Sequence, residues 1–142
     1  MKISEHFLLE EFVSKNTFDK FGAKSIWFVD KGIIAVAEKL RAYFGKSITI
    51  NNWHNGGTLN SRGFRERACV IGGEFSIHRL GKAIDFNVDG LTAQAVHRAV
   101  LDKHAELWPE ITAIEDVAFT SNWTHIDLRP SDIPEIMIVK PS

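Results

Sequence analysis

The most informative stretch of this chain spans residues 76–86 and reads SIHRLGKAIDF. It places an imidazole, His78, and a carboxylate, Asp85, on either side of the turn residue Gly81. Its second half runs into residues 83–88, where apolar and polar side chains alternate, a pattern that predicts a β-strand. The imidazole and the carboxylate can therefore face one point.

A second stretch, WTHIDL at residues 123–128, also alternates and predicts another strand. His125 lies there between Trp123 and Asp127 on one face. Together with His78 and Asp85, it completes a set of three ligands. Two histidines and one carboxylate are the composition expected of a catalytic zinc, which keeps its fourth position open for water or substrate.

These two motifs resemble the signature of a family of zinc peptidases. The pattern Ser-x-His-x-x-Gly-x-Ala-x-Asp, followed further along by Trp-x-His, is similar to that of the zinc D-alanyl-D-alanine carboxypeptidases, the D-Ala-D-Ala dipeptidases and the phage L-alanyl-D-glutamate endopeptidases. These enzymes belong to a wider group with lysostaphin and the hedgehog signalling fold. The matching residues are Ser76, His78, Gly81, Ala83, Asp85, Trp123 and His125. The segment HFLLEEF at residues 6–12 also resembles the opening helix of single-domain members.

The composition fits a small enzyme. The chain has 142 residues, 44% of them hydrophobic and 25% charged, which predicts one globular domain covering residues 1–142. A net charge of -1 gives no electrostatic case for nucleic acid or an anionic membrane as a partner. Cys69 is the single cysteine, and the first residues lack the apolar run of a signal peptide. We therefore expect a monomer that is made and folded in the cytoplasm.

The first half of the chain predicts two helices and a strand. Ser4 is a candidate N-cap for a short helix carrying Phe7, Leu8, Phe12 and Val13, and residues 16–25 read as a polar connection. A longer helix is predicted from Asp30 to Gly45. Residues 47–51 alternate as a strand, and residues 52–73 are irregular and rich in glycine.

The second half predicts a helix capped by Thr92, with His97 and His104 on its polar side. Residues 111–117 are the next strand candidate and form a predicted hairpin with residues 123–128, beside the 83–88 strand. In the irregular tail, residues 136–139 are the one strand candidate. The whole predicts an α+β fold in which helices pack on a small, mainly antiparallel sheet that carries the zinc site.

A peptidase of this kind also needs a general base, and the sequence leaves two candidates. In many members of the resembled family a carboxylate lies three residues before the second histidine, where this chain has Asn122, which cannot accept a proton. Other members take a Glu from the strand before the hairpin turn, and Glu115 matches that arrangement. Either Glu115 or Asp116 faces His125, depending on a one-residue register that the sequence does not fix. We favour Glu115 and keep Asp116 open.

Further residues are candidates for substrate contact or for orienting the ligands. The resemblance implies an arginine before the first metal motif, and Gly63-Phe64-Arg65 fits that pattern best. Arg65 would bind a substrate carboxylate or stabilise an oxyanion, the alternative being a solvated surface arginine. Asn51 and Trp53 are candidates for lining the cleft. Asp127 and Ser76 are candidates for orienting the ligand imidazoles.

The resemblance implies zinc-dependent hydrolysis of a peptide bond in peptidoglycan stem peptides, in the setting of a phage endolysin that reaches the cell wall after release. Two alternatives stay open. One is a catalytically silent relative that keeps zinc and binds cell-wall peptide or a protein partner, which Asn122 would explain. The other is a phage structural module in which the motif has no metal function.

Overall fold

The computed structural model describes residues 1–141, which form three α-helices and one five-stranded sheet. The helices are α1 (Lys15–Phe21), α2 (Lys31–Phe44) and α3 (Ala93–Leu107). The strands are β1 (Ile48–Thr49), β2 (Ala83–Val88), β3 (Ala113–Glu115), β4 (Thr124–Asp127) and β5 (Met137–Val139). The predicted α+β class is confirmed. Within residues 1–141, no helix combines the length and the apolar composition needed to cross a membrane.

The strands follow the order β1-β2-β4-β3-β5 across the sheet. All neighbouring pairs are antiparallel except β3 and β5, which run parallel, so the sheet is mixed but mainly antiparallel. The predicted hairpin of β3 and β4 is present, and β4 pairs with β2 as expected. The tail candidate at residues 136–139 contributes β5, the edge strand.

The strand register separates an apolar face of the sheet from a polar one. Ile84 in β2 lies opposite Ile126 in β4, which lies opposite Ile114 in β3, and all three are completely buried. Helices α2 and α3 contact the sheet. Because successive side chains in a strand point to opposite faces, the residues next to these isoleucines point away from this apolar row. Asp85 and His125 are two of them.

The boundaries of α2 and α3 match the prediction because both helices are capped by side chains. The Asp30 carboxylate accepts a hydrogen bond from the amide of Gly32, and Gly45 ends α2 in the left-handed conformation at φ 62°. The Thr92 hydroxyl accepts a hydrogen bond from the amide of Ala95 at the start of α3. The cap residues therefore fix where both helices begin and where α2 ends.

The prediction of a helix starting at Ser4 is wrong. Lys2 instead pairs with Leu8 in an isolated antiparallel bridge, and only a short 3₁₀ turn follows, at Leu9–Glu11. The apolar residues of this segment are still buried, among them Phe7 and Phe12, which contact each other edge to face. Their spacing was compatible with a helix, but a compact loop buries the same side chains.

Three further expectations differ from the structure. Residues 16–25 are not a polar connection: Ser14 caps α1 by accepting a hydrogen bond from the Thr17 amide, and a 3₁₀ segment at Gly22–Phe28 follows. His104 is buried rather than on the polar side of α3, and its Nε2 donates to the carbonyl of Ile111. The strand predicted at residues 47–51 is limited to β1.

Candidate metal centre

The three predicted ligands meet on the polar face of the sheet. Asp85 in β2 and His125 in β4 are direct register partners. His78 lies in the 3₁₀ turn Ile77–Leu80 that immediately precedes β2. Gly81 ends that turn at φ 69°, and a side chain there would collide with the carbonyl oxygen of Phe28, so only glycine permits the close approach.

The geometry of this group fits a metal ion. Asp85 Oδ1 lies 2.8 Å from His125 Nδ1 and 3.3 Å from His78 Nε2, and one ligand atom from each residue lies within 4.8 Å of the others. Ligand atoms that share a tetrahedral ion at about 2.1 Å are about 3.4 Å apart. All three side chains are buried. His78, Asp85 and His125 therefore form a group that could hold a metal ion.

In each candidate histidine, one ring nitrogen makes a hydrogen bond that directs the other ring nitrogen toward Asp85. His78 Nδ1 lies 2.8 Å from the carbonyl oxygen of Gly63, which can only accept, so this nitrogen donates and Nε2 keeps its lone pair. His125 Nε2 lies 2.8 Å from Asp127 Oδ2, which leaves Nδ1 toward Asp85. Such outer contacts are typical of metal-binding histidines.

The carboxylates on this face favour positive charge between them. Burial disfavours the imidazolium of His125, but hydrogen bonds with Asp127 and Asp85 outweigh that penalty and raise its pKa to about 9. Burial lowers the pKa of His78, more than the nearby Asp85 raises it, which favours its neutral form. Both imidazoles must be neutral to bind a metal ion, so an ion would displace the proton that the carboxylates hold on His125, while His78 already favours the neutral form.

Asp127 orients His125 as predicted and is itself held by Arg129. The carboxylate is completely buried, and Arg129 donates to both oxygens, from Nε at 2.8 Å and from Nη2 at 2.6 Å. Although burial alone favours protonation, the hydrogen bonds from Arg129 and His125 lower the pKa of Asp127 to about 2. Arg129 was not predicted, but it continues the alternation 125, 127, 129, which was the available signal.

Replacing Asp127 with asparagine should weaken metal binding about 10- to 100-fold, because the amide loses the charged acceptor that holds the His125 ring. The measurement is a competition titration of Zn²⁺ against a chromophoric chelator. Asp102, an exposed residue of α3, provides the control variant Asp102→Asn, which should bind as the wild type does. An unchanged affinity in Asp127→Asn, with the fold intact by circular dichroism, would remove Asp127 from the site.

The register places Glu115, and not Asp116, beside His125. Ala113 pairs with Asp127 and Ile114 with Ile126, so the next position of β3 faces His125, and Glu115 Oε1 lies 3.3 Å from His125 Nδ1. Within residues 1–141, Glu115 Oε2 is buried without a hydrogen-bond partner. Burial raises the pKa of this carboxyl above its ordinary value.

Asp116 makes contacts away from His125, unlike Glu115. Its Oδ1 accepts a hydrogen bond from the amide of Ala118, and its backbone amide donates to the carbonyl of Val139. These contacts shape the turn after β3. Asn122 is exposed, and its carbonyl accepts a hydrogen bond from the side chain of Asn87. Of the two candidate bases, Glu115 is therefore the one that lies beside His125.

Arg65 is buried next to Asp85 rather than solvated. Its Nη2 lies 3.3 Å from Asp85 Oδ2, and its Nε donates to the carbonyl of Ser61 at 2.7 Å. This contact occupies the outer oxygen of Asp85, so that Oδ1 is the oxygen shared with the two histidines. Arg65 also lines a cavity of about 180 Å³ together with the three ligands and Glu115.

Of the three remaining candidates for substrate contact or ligand orientation, one lines the cavity and two lie away from it. Ser76 lines the cavity and caps the 3₁₀ turn by accepting from the amide of His78 at 3.4 Å. Asn51 and Trp53 do not line it. Both donate to the carbonyl of Val13, so they tie the N-terminal segment to the loop after β1.

The cavity wall also includes residues that the sequence did not single out. They are Ile71, Gly72, Ile77, Arg129, Lys140 and Pro141. Trp123, a matching residue of the second motif, is half-buried and belongs to this wall. The wall therefore combines the metal motifs with the long glycine-rich loop and the C-terminal tail, which only the fold brings together.

No protein-family model, curated protein or solved structure matches this chain.

Proposed function

We propose that this protein is a zinc-dependent peptidase that hydrolyses a peptide bond in peptidoglycan stem peptides. The observation that carries the proposal is a row of side chains on one sheet face, Asp85, His125 and Glu115, completed by His78 from the preceding turn. It combines three ligand atoms with a buried carboxylate oxygen that has no partner within residues 1–141. A metal-binding group and a free proton acceptor side by side are the parts that peptide hydrolysis needs.

The donor set supports zinc as the ion. Two imidazole nitrogens and one carboxylate oxygen suit zinc, and three protein ligands leave one position for water or substrate. His78, Asp85 and His125 would hold the ion. When bound, zinc supplies Lewis-acid chemistry, because it lowers the pKa of a water molecule and polarises a carbonyl group.

The chain's own residues supply the proton transfers and the orientation. Glu115 accepts a proton from the attacking water and afterwards delivers a proton to the nitrogen of the leaving amine. Its burial supports this role, since it raises the pKa of the carboxyl group and so makes it a stronger proton acceptor. Arg65 keeps Asp85 in place, and its Nη1 makes no hydrogen bond within the described residues. That group is available to bind a carbonyl or carboxylate oxygen of the substrate.

The substrate class rests on the resemblance of the two motifs to the zinc D-alanyl-D-alanine carboxypeptidases and phage L-alanyl-D-glutamate endopeptidases. The hedgehog-like fold of that group and a role as a phage endolysin belong to the same proposal. Glu115 supports it, because some members of the group carry their base on the strand before the hairpin turn. Asn122 no longer argues against activity once Glu115 has this role.

The test is to incubate the zinc-loaded protein with purified peptidoglycan and with synthetic stem peptides, and to identify the products by mass spectrometry. We expect cleavage of one bond next to a D-amino acid and none in a matched all-L peptide. Removal of zinc by a chelator should stop the reaction, and added zinc should restore it. Zinc binding without hydrolysis of any stem peptide would overturn the proposal in favour of the silent relative that binds cell-wall peptide or a protein partner.

A further inference from the structure

The loop at residues 66–75 connects two parts of the site but contains no helix or strand. It begins directly after Arg65 and ends directly before Ser76, both of which line the metal cavity. Two of its apolar side chains are almost completely exposed, Val70 at 92% and Phe75 at 85%. A loop of this length whose apolar side chains are exposed makes few buried contacts that would hold it in one conformation.

Arg79 gives this loop a fixed shape. Its guanidinium donates to the backbone carbonyls of four loop residues: from Nε to Gly73 at 3.1 Å, from Nη1 to Glu66 at 3.0 Å and Arg67 at 3.3 Å, and from Nη2 to Cys69 at 2.9 Å. Only the planar, forked guanidinium can serve so many acceptors at once. Because Arg79 follows the ligand His78 directly, it ties the loop to the metal motif.

The loop so held forms part of the cavity. Ile71 and Gly72 line it, and Gly72 has φ 78°, in the left-handed region. A Cβ at Gly72 would lie 2.5 Å from Arg65 Nη1, so the loop backbone packs directly against the arginine of the site. The loop also contributes Arg67 to a second cavity of about 660 Å³, which shares Arg65 with the first.

We infer that Arg79 is a positioning residue that holds the 66–75 loop as a wall of the substrate-binding cleft. The inference rests on the proposed function, since it assigns to the loop the binding of the stem peptide beside the metal site. Arg79 itself touches neither the ligands' metal-facing atoms nor the cavity of about 180 Å³. Arg79 does line the second cavity, but its guanidinium is engaged by four loop carbonyls. Its effect on the metal site is therefore exerted through the loop backbone, on Gly72 and on the packing of Arg65.

The experiment compares Arg79→Ala and Arg79→Lys with the wild type and with Arg98→Ala, a control at an exposed arginine of α3. Hydrogen exchange of the loop amides, zinc content, KM and kcat are measured on the same samples. In Arg79→Ala we expect about tenfold or faster exchange at residues 67–75, wild-type zinc content, and a KM raised about tenfold with kcat changed less than threefold. Arg79→Lys should fall in between, because one ammonium group cannot reach all four carbonyls.

Three results would overturn the inference. Unchanged exchange in the loop would show that Arg79 does not hold it, and a mobile loop with unchanged KM would show that the loop does not bind substrate. A lower zinc content together with a lower melting temperature in Arg79→Ala would show that Arg79 contributes only to overall stability. If the wild type cleaves no stem peptide, the proposed function fails; loop exchange and the calorimetric Kd for the same peptide then decide the role of Arg79.

Discussion

Replacing His78 with alanine should lower the zinc content from about one ion per chain to near zero and abolish peptide hydrolysis. The remaining pair, Asp85 and His125, are strand partners that contact each other directly and would form an ion pair instead of a metal site. Two ligands alone hold zinc weakly. The zinc content of the purified protein is measured by elemental mass spectrometry, and stem-peptide hydrolysis is measured on the same samples.

The control for this variant is His97→Ala, which removes a half-buried histidine of α3. His97 does not line the metal cavity, so its loss should leave zinc content and hydrolysis unchanged. Full zinc content in His78→Ala would show that the ion binds elsewhere in the chain. No zinc in either the wild type or the variant would exclude the metal centre and, with it, the peptidase.

Replacing Glu115 with glutamine should reduce kcat by a factor of about 10² to 10⁴ while zinc stays bound. Glutamine keeps the shape of the side chain, and Glu115 is not among the three ligands, but an amide cannot accept the proton of the attacking water. Because Glu115 must be ionised to accept this proton, the wild-type rate should fall on the acid side as Glu115 becomes protonated. Glu115→Gln should lose this acid limb in a pH profile of kcat.

Asp116→Asn is the matched control, because Asp116 is the neighbouring carboxylate and serves the turn after β3. Its kcat should stay close to that of the wild type. The opposite pattern, with an active Glu115→Gln and an inactive Asp116→Asn, would contradict the base assigned from the strand register. Loss of activity in both variants with loss of zinc would indicate instead that the region had lost its structure.

Local sequence signals predicted the elements that have strong caps or clear alternation. Asp30 and Gly45 marked both ends of α2, and residues 83–88 gave β2 with its bounds correct. The same kind of signal was present but not used at α1, where Ser14 is the cap and Thr17 the residue that donates to it. Caps act within one turn of helix, so they can be identified without the rest of the fold.

The N-terminal segment could not be predicted in this way. Phe7, Leu9 and Phe12 have spacings that suit either a helix face or a loop folded over the core, and short apolar segments leave that choice open. Contacts with distant parts of the chain decide between the helix and the loop. The Phe12 carbonyl accepts from the amide of Phe64, and a Cβ at Gly63 would collide with it. These contacts join segments far apart in sequence, which local patterns do not contain.

The fold brings the three candidate ligands His78, Asp85 and His125 together, with Asp127 against the ring of His125. The choice between Glu115 and Asp116 required the register of β3 on β4, which depends on the isoleucine row of the opposite face. Arg129 continues the alternation of β4 and could have been found from it. The loop wall around Gly72 could not be placed, because loops reach the site only through tertiary packing.

The pairing of Asp85 with His125 across β2 and β4 also bears on how the chain folds. These two residues are 40 positions apart in sequence, and an unfolded chain pays conformational entropy to bring them together. An ion held between them and His78 binds the folded chain in preference to the unfolded one, so its binding free energy adds to the free energy of unfolding. Metal supply and fold stability would then be thermodynamically linked, and removing the ion would lower the free energy of unfolding.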